Sequence, residues 1–190
     1  MISIRVGSFA RFRLASPLSS SDWREASFME PLRAKKPYES EMTTARLMMP
    51  TDANVLGNVF GGAIMRYMDE IAGIVAWRHA GKNVVTASID RMNFYAPVYV
   101  GDLLILKAAV NYVGTTSMEI GVRLEAQDPT GQKGTHTGSC YLTFVALDEK
   151  GRPTRIPPLI PTTPEERRRF KEALARRKHR EAEQTASRSA

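Results

Sequence analysis

Apolar residues recur every three or four positions between residues 61 and 79, which is the spacing of one face of a helix. This stripe consists of Ile64, Met68, Ile71 and Val75. Gly81 follows at a place where a left-handed residue ends many helices, and Asn58 or a glycine can cap the start. We therefore predict one long helix, and because it is apolar on most sides we expect a sheet to wrap around it.

Patterns typical of strands lie on both sides of this helix. A short strand over residues 44–49 precedes it and ends at Pro50. Four more predicted strands follow, over residues 83–90, 102–112, 117–127 and 135–147. Turn sequences separate the last three, and short turns between consecutive strands favour an antiparallel meander. The predicted class is α+β with one core and no internal repeat.

Both ends of the chain differ from this central domain, which we place at residues 41–155. Residues 1–40 lack periodicity and are predicted to be a disordered or poorly ordered extension. Residues 1–21 carry arginines and serines but no acid, which fits a transit peptide, a tail or a misassigned start codon. Residues 156–190 form a proline-rich segment and a charged helix, read either as solvated and partly frayed or as drawing in anionic ligands.

The amino-acid composition limits the classes of ligand that this chain is expected to bind. The net charge of +7 favours polyanions, and basic residues concentrated in the tails favour phosphorylated small molecules over nucleic acid. Nucleic-acid binding through the C-terminal helix is a weaker alternative. The single cysteine, Cys140, gives no disulfide framework or metal cluster and is interpreted as a core thiol in a reduced compartment. No apolar run is long enough to span a bilayer.

Two features of the helix point to chemistry. Gly61 and Gly62 stand at its start, where free N–H groups could approach a thioester carbonyl that develops negative charge. The alternative is a tight turn. Asp69 lies within the apolar helix on a face of small residues, which suggests contact with a second subunit. The alternative is an exposed pair with Arg66, the residue we expect to pair with Glu70.

Asn54 and Thr86 are the remaining side-chain candidates. Asn54 could hold a water or a carbonyl, or simply stabilise its own loop. Thr86 could face Asp69, or be an ordinary strand residue. The three histidines look incidental, and His79 is placed where a helix C-terminus favours a cation. No serine-nucleophile elbow, phosphate-binding loop or dinucleotide fingerprint occurs.

Several short motifs together resemble the acyl-CoA thioesterases of the hotdog fold, which include cytosolic brain-type acyl-CoA hydrolases and short bacterial enzymes. The resemblance covers residues 43–170. Its motifs are PTDANVLGNVFGG from Pro50, MDEIAG from Met68, VVTASIDRMNF from Val84, PVYVGD from Pro97, GTTSME from Gly114, and GRP with PPLIP after Gly151.

This resemblance implies an antiparallel sheet wrapped around one long central helix, with dimers formed by extending the sheet and often assembled as trimers of dimers. Asn54 of one subunit would then face Asp69 and Thr86 of its partner. Asp69 would be the general base or nucleophile, Asn54 would orient water or the thioester, and Thr86 would assist positioning. Backbone N–H groups near Gly61 and Gly62 would polarise the carbonyl.

The implied activity is hydrolysis of fatty acyl-CoA to free fatty acid and coenzyme A, without metal or cofactor, in a cytoplasmic homo-oligomer such as a hexamer. Arg91 and the turn containing Thr115, Thr116 and Ser117 are candidate contacts for coenzyme A. Alternatives are a non-catalytic acyl-CoA-binding module and an acyl-thioester hydratase or dehydratase. Chain-length preference, a covalent or direct-water route and nucleotide regulation stay open at this point.

Overall fold

A computed structural model describes residues 32–131 and 134–188 of the chain. One long helix and a curved sheet form its centre, and a second helix follows at the C-terminal end. The strands are β1 (Met42–Leu47), β2 (Asn83–Phe94), β3 (Leu103–Val113), β4 (Ser117–Gln127) and β5 (Thr135–Leu147), and the helices are α1 (Gly61–Ala80) and α2 (Pro164–Arg188). The predicted α+β class is confirmed. None of the described helices is long and apolar enough to cross a membrane.

The five strands are antiparallel and lie in the order β1-β3-β4-β5-β2. Only β3, β4 and β5 form the expected meander. The prediction that all four strands after the helix form one meander was wrong, because β2 pairs with β5 and not with β3, so the connection from β2 to β3 crosses β5 and β4. The sheet therefore has β1 at one edge and β2 at the other.

Helix α1 packs its apolar stripe into the concave face of this sheet, as predicted. Every member of the stripe is nearly inaccessible, and alternate residues of β3, β4 and β5 complete the core. Gly81 ends the helix in the left-handed region at φ 63°. The expected cap at the start is absent: Phe60 occupies the N-cap position and no side chain caps the helix there.

Strand β2 is irregular. It runs four residues beyond the predicted end at Asp90, and its pairing with β5 shifts register between Thr86 and Ser88 and again between Ile89 and Arg91. Each shift is the signature of a bulge, which inserts a residue and turns the side chains that follow it to the other face. The alternation predicted for residues 83–90 therefore breaks at both places.

The described residues begin at Leu32, and part of the segment before β1 contacts the rest of the fold. The backbone of Lys35 pairs in parallel with the proline-rich segment near Leu159, and Ser40 is completely buried. This pairing also ties residues 156–160 to the domain from which they were separated in the prediction. The remainder of the predicted extension, residues 1–31, lies outside the described residues.

Helix α2 packs across the outer face of the sheet. Ala173 is fully buried, and Arg176 binds Glu119 of β4 through both oxygens while its guanidinium lies 3.7 Å from the centre of the Tyr141 ring. Arg180 pairs with Asp90 of β2. One face of α2 is therefore held against the sheet by ion pairs, whereas many of its other described residues are exposed, so the expected solvation applies to the remaining faces.

Candidate active site

Asp69 and Thr86 are joined directly. Asp69 lies half-buried in the middle of α1, and Thr86 Oγ1 donates a hydrogen bond to its Oδ1 at 2.7 Å. The hydroxyl comes from β2, the edge strand, so the carboxylate is fixed at the border between helix and sheet. A carboxylate that accepts one hydrogen bond keeps acceptor capacity on its second oxygen.

The alternative pairing of Asp69 with Arg66 does not occur. Arg66 Nη1 lies 3.4 Å from Glu70 Oε1, and its Nη2 donates to Tyr67 Oη at 3.0 Å. The expected surface pair between Arg66 and Glu70 is thus present. Among the described residues, Thr86 is the only hydrogen-bond partner of the Asp69 carboxylate.

Asn54 shapes a small hairpin between β1 and α1. Its Oδ1 accepts hydrogen bonds from Leu56 N at 2.8 Å and Asn58 N at 3.3 Å, and its backbone N donates to Asn58 O. Two N–H donors on one atom identify that atom as oxygen, so the other terminal atom is the amide nitrogen. No described residue accepts from this Nδ2, so Asn54 both stabilises its loop and presents a free donor.

The start of α1 leaves its N–H groups available. Gly61 N and Gly62 N donate to no described residue, and the preceding Phe60 N donates to Asp52 O at 2.7 Å. A Cβ added at Gly62 would lie 2.3 Å from the Phe60 ring. A Cβ at Gly61 would meet only Phe94, at 3.7 Å. Gly61 therefore leaves room for a ligand to approach the free N–H groups at the helix start.

Within one chain, the candidate groups form two sets: the pair of Asp69 and Thr86, and the groups at the start of α1. Eight residues separate Gly61 from Asp69, which at the rise of an α-helix is about 12 Å along the axis. One thioester group therefore cannot contact both Gly61 and Asp69 of the same chain. The structure thus joins Asp69 and Thr86 by a hydrogen bond, and neither side chain is hydrogen-bonded to Asn54 or to the start of the helix among the described residues.

The candidate coenzyme A contacts lie near opposite ends of β2. Arg91 is exposed on β2 just after the second register shift. Thr115, Thr116 and Ser117 lie at the turn between β3 and β4, where Ser117 pairs with Val145. That end of the sheet is next to the beginning of β2 and the C-terminus of α1, whereas Gly61 is beside Phe94 at the other end of β2.

Exposed apolar side chains surround the helix start. Phe94 lies beside Gly61 and Tyr99 pairs with Asn58, which brings residues 94–100 close to the hairpin. Val55 and Leu56 at the hairpin tip are almost fully accessible, and five further large side chains of these two regions are exposed. These are Phe60, Phe94, Tyr95, Tyr99 and Val100. A clustered apolar surface of this kind is typical of a protein interface or a ligand groove.

Two polar residues at the base of the hairpin were missed by the sequence analysis. Asp52 accepts a 2.6 Å hydrogen bond from Tyr67 Oη, which holds the pKa of the Asp52 carboxyl below its usual value. Tyr67 looked like part of the apolar helix, and Asp52 looked like an ordinary turn residue. An acid two positions before Asn54 was the only signal, and it does not identify its partner.

Two other expectations concern residues away from this region. Cys140 is buried as predicted, and burial raises the pKa of its thiol to about 11. His79 was expected at a helix C-terminus that favours a cation, but it is buried between Ser40 Oγ and Pro157 O, and burial lowers its pKa. No cluster of three His, Cys, Asp or Glu side chains suited to a metal ion occurs among the described residues.

A five-stranded antiparallel sheet packed against one long helix is the arrangement of the hotdog fold. The family model for the thioesterase superfamily matches residues 56–132. A solved structure, acyl-CoA hydrolase from Staphylococcus aureus with butyryl coenzyme A, coenzyme A and coenzyme A disulfide, has 38% identity and a TM-score of 0.78, with 82% of this chain and 95% of that chain covered. This chain belongs to the thioesterase superfamily.

Other proteins are similar over most of the chain. The cytosolic acyl coenzyme A thioester hydrolase of Rattus norvegicus is 36% identical over 160 residues, which is 81% of this chain but 42% of the relative. The chain therefore spans less than half of that relative's length. A hexameric acyl-CoA thioesterase structure has 39% identity and a TM-score of 0.77, covering 80% of this chain and 97% of that chain. Further structures of the Staphylococcus aureus enzyme carry alanine in place of one asparagine, one aspartate or one threonine.

Proposed function

We propose that this protein hydrolyses fatty acyl-CoA, so that acyl-CoA and water give a free fatty acid and coenzyme A. The observation that carries the proposal is the hydrogen bond from Thr86 to Asp69 in a chain of this family. Asp69 is a carboxylate that one hydroxyl orients and that has a free oxygen to accept a proton. Hydrolysis of a thioester needs such a group next to the attacking water.

The spacing of the candidate residues supports this proposal. In the Staphylococcus aureus enzyme, the asparagine, aspartate and threonine replaced by alanine are 15 and 17 residues apart. Asn54, Asp69 and Thr86 have the same two separations. That enzyme was crystallised with butyryl coenzyme A, so its ligand suggests the substrate class for this chain.

The proposed site needs two copies of the chain. Because Gly61 and Asp69 of one chain are about 12 Å apart along α1, we place Asn54 and the helix start of one subunit against Asp69 and Thr86 of another. The outer edge of β2 supports this arrangement, since it exposes Val85 and Ile89 and an uncovered edge strand favours pairing. A dimer that assembles further, as in the hexameric neighbour, is part of the proposal.

Each group then has a role in the reaction. The free Asn54 Nδ2 holds the water or the thioester, and the N–H groups of Gly61 and Gly62 stabilise the negative charge that develops on the carbonyl oxygen. Asp69 removes the proton from water, and this proton passes to the departing thiolate. Thr86 keeps the carboxylate in one orientation. A covalent acyl-aspartate would use the same groups with Asp69 as nucleophile.

Coenzyme A binding and a cellular role complete the proposed function. Arg91 and the turn of Thr115, Thr116 and Ser117 are proposed to contact the coenzyme A portion, and the net charge of +7 suits its phosphates. The reaction as written uses water and the chain's own residues, without a metal or cofactor. A cytoplasmic role in fatty acid metabolism is proposed because a similar relative is named cytosolic.

The first experiment measures thiol release from a panel of acyl-CoAs of increasing chain length. We expect hydrolysis by the wild type and a loss of kcat of about 100-fold or more in Asp69→Ala. Glu70→Ala is the matched control, because Glu70 is the neighbouring exposed carboxylate. Binding of acyl-CoA without thiol release by the wild type would instead identify a non-catalytic module. Hydration of an enoyl-CoA with its thioester intact would identify a hydratase.

A mixing experiment tests the shared site. Asn54→Ala and Asp69→Ala are each expected to be inactive, yet a mixed dimer would contain one site with both native side chains. Co-expression should therefore restore activity to about a quarter of the wild-type value under random pairing of two isologous subunits. Activity no higher than that of either variant alone would place the whole site within one subunit.

A further inference from the structure

The carboxylate of Asp52 ties the Asn54 hairpin to the body of the fold. Its Oδ1 accepts the Tyr67 hydroxyl at 2.6 Å, and its Oδ2 accepts Met49 N at 3.0 Å. Its backbone oxygen also accepts Phe60 N at 2.7 Å. Asp52 thus connects three parts of the fold: Met49 after β1, Phe60 directly before α1, and Tyr67 within α1.

Tyr67 is held firmly enough to act as an anchor. It is buried on α1, and the guanidinium of Arg46 in β1 lies 4.1 Å from the centre of its ring. Arg66 Nη2 donates to the Tyr67 oxygen at 3.0 Å. Since an incoming donor occupies that oxygen, the hydroxyl proton is directed to Asp52. Hydrogen bonds to a charged acceptor are about twice as strong as those between neutral groups.

The groups proposed for chemistry lie directly next to this anchor. Asn54 follows Asp52 by two residues, and its hairpin closes where Ala53 pairs with Val59. Gly61, with its free N–H, follows Phe60 by one residue. Val55 and Leu56 at the hairpin tip are exposed in the single chain, so within one subunit the orientation of the hairpin depends on the hydrogen bonds at its base.

We propose that Asp52 and Tyr67 are positioning residues that fix Asn54 and the start of α1 relative to each other. This inference rests on the proposed function for its kinetic consequence, but its structural consequence is independent of it. Neither side chain touches the reacting atoms. They act by preventing the hairpin from turning about its base, and a displacement of about 1 Å in a reacting group can reduce the rate 100-fold.

Tyr67→Phe is the decisive variant, because it removes one oxygen and leaves the buried ring and the Arg46 contact in place. Tyr38→Phe is the matched control, since Tyr38 is exposed and makes no side-chain hydrogen bond among the described residues. We expect kcat to fall about 10-fold or more in Tyr67→Phe, with KM for acyl-CoA within about twofold of the wild type. The control should keep both values.

Hydrogen exchange provides a second readout that does not need activity. The amides of Asn54 and Gly57 are bonded within the hairpin, and we expect them to exchange at least about 10-fold faster in Tyr67→Phe, while amides of β4 stay unchanged. Unchanged hairpin exchange, or equal acceleration throughout the fold, would overturn the proposal. So would a kcat within twofold of the wild type in an active enzyme.

The experiments distinguish failure of the proposed function from failure of the positioning role of Asp52 and Tyr67. If the wild type releases no thiol from any acyl-CoA, the proposed function fails, and hairpin exchange alone then decides the role of Asp52 and Tyr67. If the wild type is active and Tyr67→Phe exchanges and reacts like Tyr38→Phe, the proposed function stands and the positioning role fails. Asp52→Ala should reproduce the exchange result of Tyr67→Phe, and a protected hairpin in that variant would count against the proposal.

Discussion

Thr86 Oγ1 lies 2.7 Å from Asp69 Oδ1, so a hydroxyl of the edge strand orients a carboxylate in the middle of the central helix. The two residues are 17 positions apart, and the turn after α1 returns β2 alongside the helix. The carboxylate is half-buried and has no positively charged partner among the described residues. Its orientation therefore depends on this one hydrogen bond.

Replacing the Thr86 hydroxyl should separate positioning from packing. We expect Thr86→Val, which keeps the shape of the side chain, to lower kcat for acyl-CoA about 10-fold, whereas Thr86→Ser keeps the donor and most of the rate. Steady-state kinetics of both variants with one acyl-CoA would check this. Equal rates for valine and serine at this position would remove the hydrogen bond from the mechanism.

The charged contact between α2 and the sheet should contribute strongly to stability. Glu119 is 1% exposed, so Arg176→Leu leaves a buried carboxylate without its closest partner. We expect a loss of about 3 kcal/mol in the free energy of unfolding, measured by urea denaturation. Arg168→Leu on the same helix breaks only exposed pairs and should cost less than about 1 kcal/mol. Similar losses for both variants would contradict this account.

His79 should make the fold sensitive to mild acid. Burial lowers its pKa in the folded state, so below the ordinary value of 6.5 the unfolded chain binds a proton that the folded chain excludes. This contribution to stability is present above pH 6.5 and is lost as the pH falls below that value. Urea denaturation between pH 7.5 and pH 5, compared with His79→Gln, should show a smaller decline in the variant.

His179→Gln is the control for this experiment, because His179 is exposed near the end of α2. It should follow the pH dependence of the wild type. If His79→Gln and the wild type lose stability in parallel, the acid sensitivity arises from other groups.

Cys140 should be chemically silent in the folded protein. Its thiol is buried, and a pKa of about 11 keeps it protonated at neutral pH, whereas thiol reagents attack the thiolate. We expect no reaction with a coloured disulfide reagent within minutes under native conditions, and one thiol per chain in denaturant. Rapid native labelling would contradict the burial and would also interfere with assays of coenzyme A release.

The helix and strands could be predicted from the sequence because their patterns involve residues that are close together in the chain. The stripe of Ile64 and Val75 gave the helix, Gly81 gave its end, and alternation gave the strands. Strand order was not predictable, since β2 pairs with β5 through contacts between residues that are 44 to 64 positions apart in the chain. The bulges of β2 were missed for the same reason, because they exist only relative to a partner strand.

By itself, the sequence determined the elements, the candidate residues Asn54, Asp69 and Thr86, and the family that their motifs resemble. Periodicity and short motifs are properties of neighbouring residues and need no folded context. Only the tertiary structure decided that Thr86 binds Asp69, that Tyr67 binds Asp52, and that α2 covers the sheet. These contacts join distant parts of the chain, and their energy depends on burial and on distances that no local pattern records.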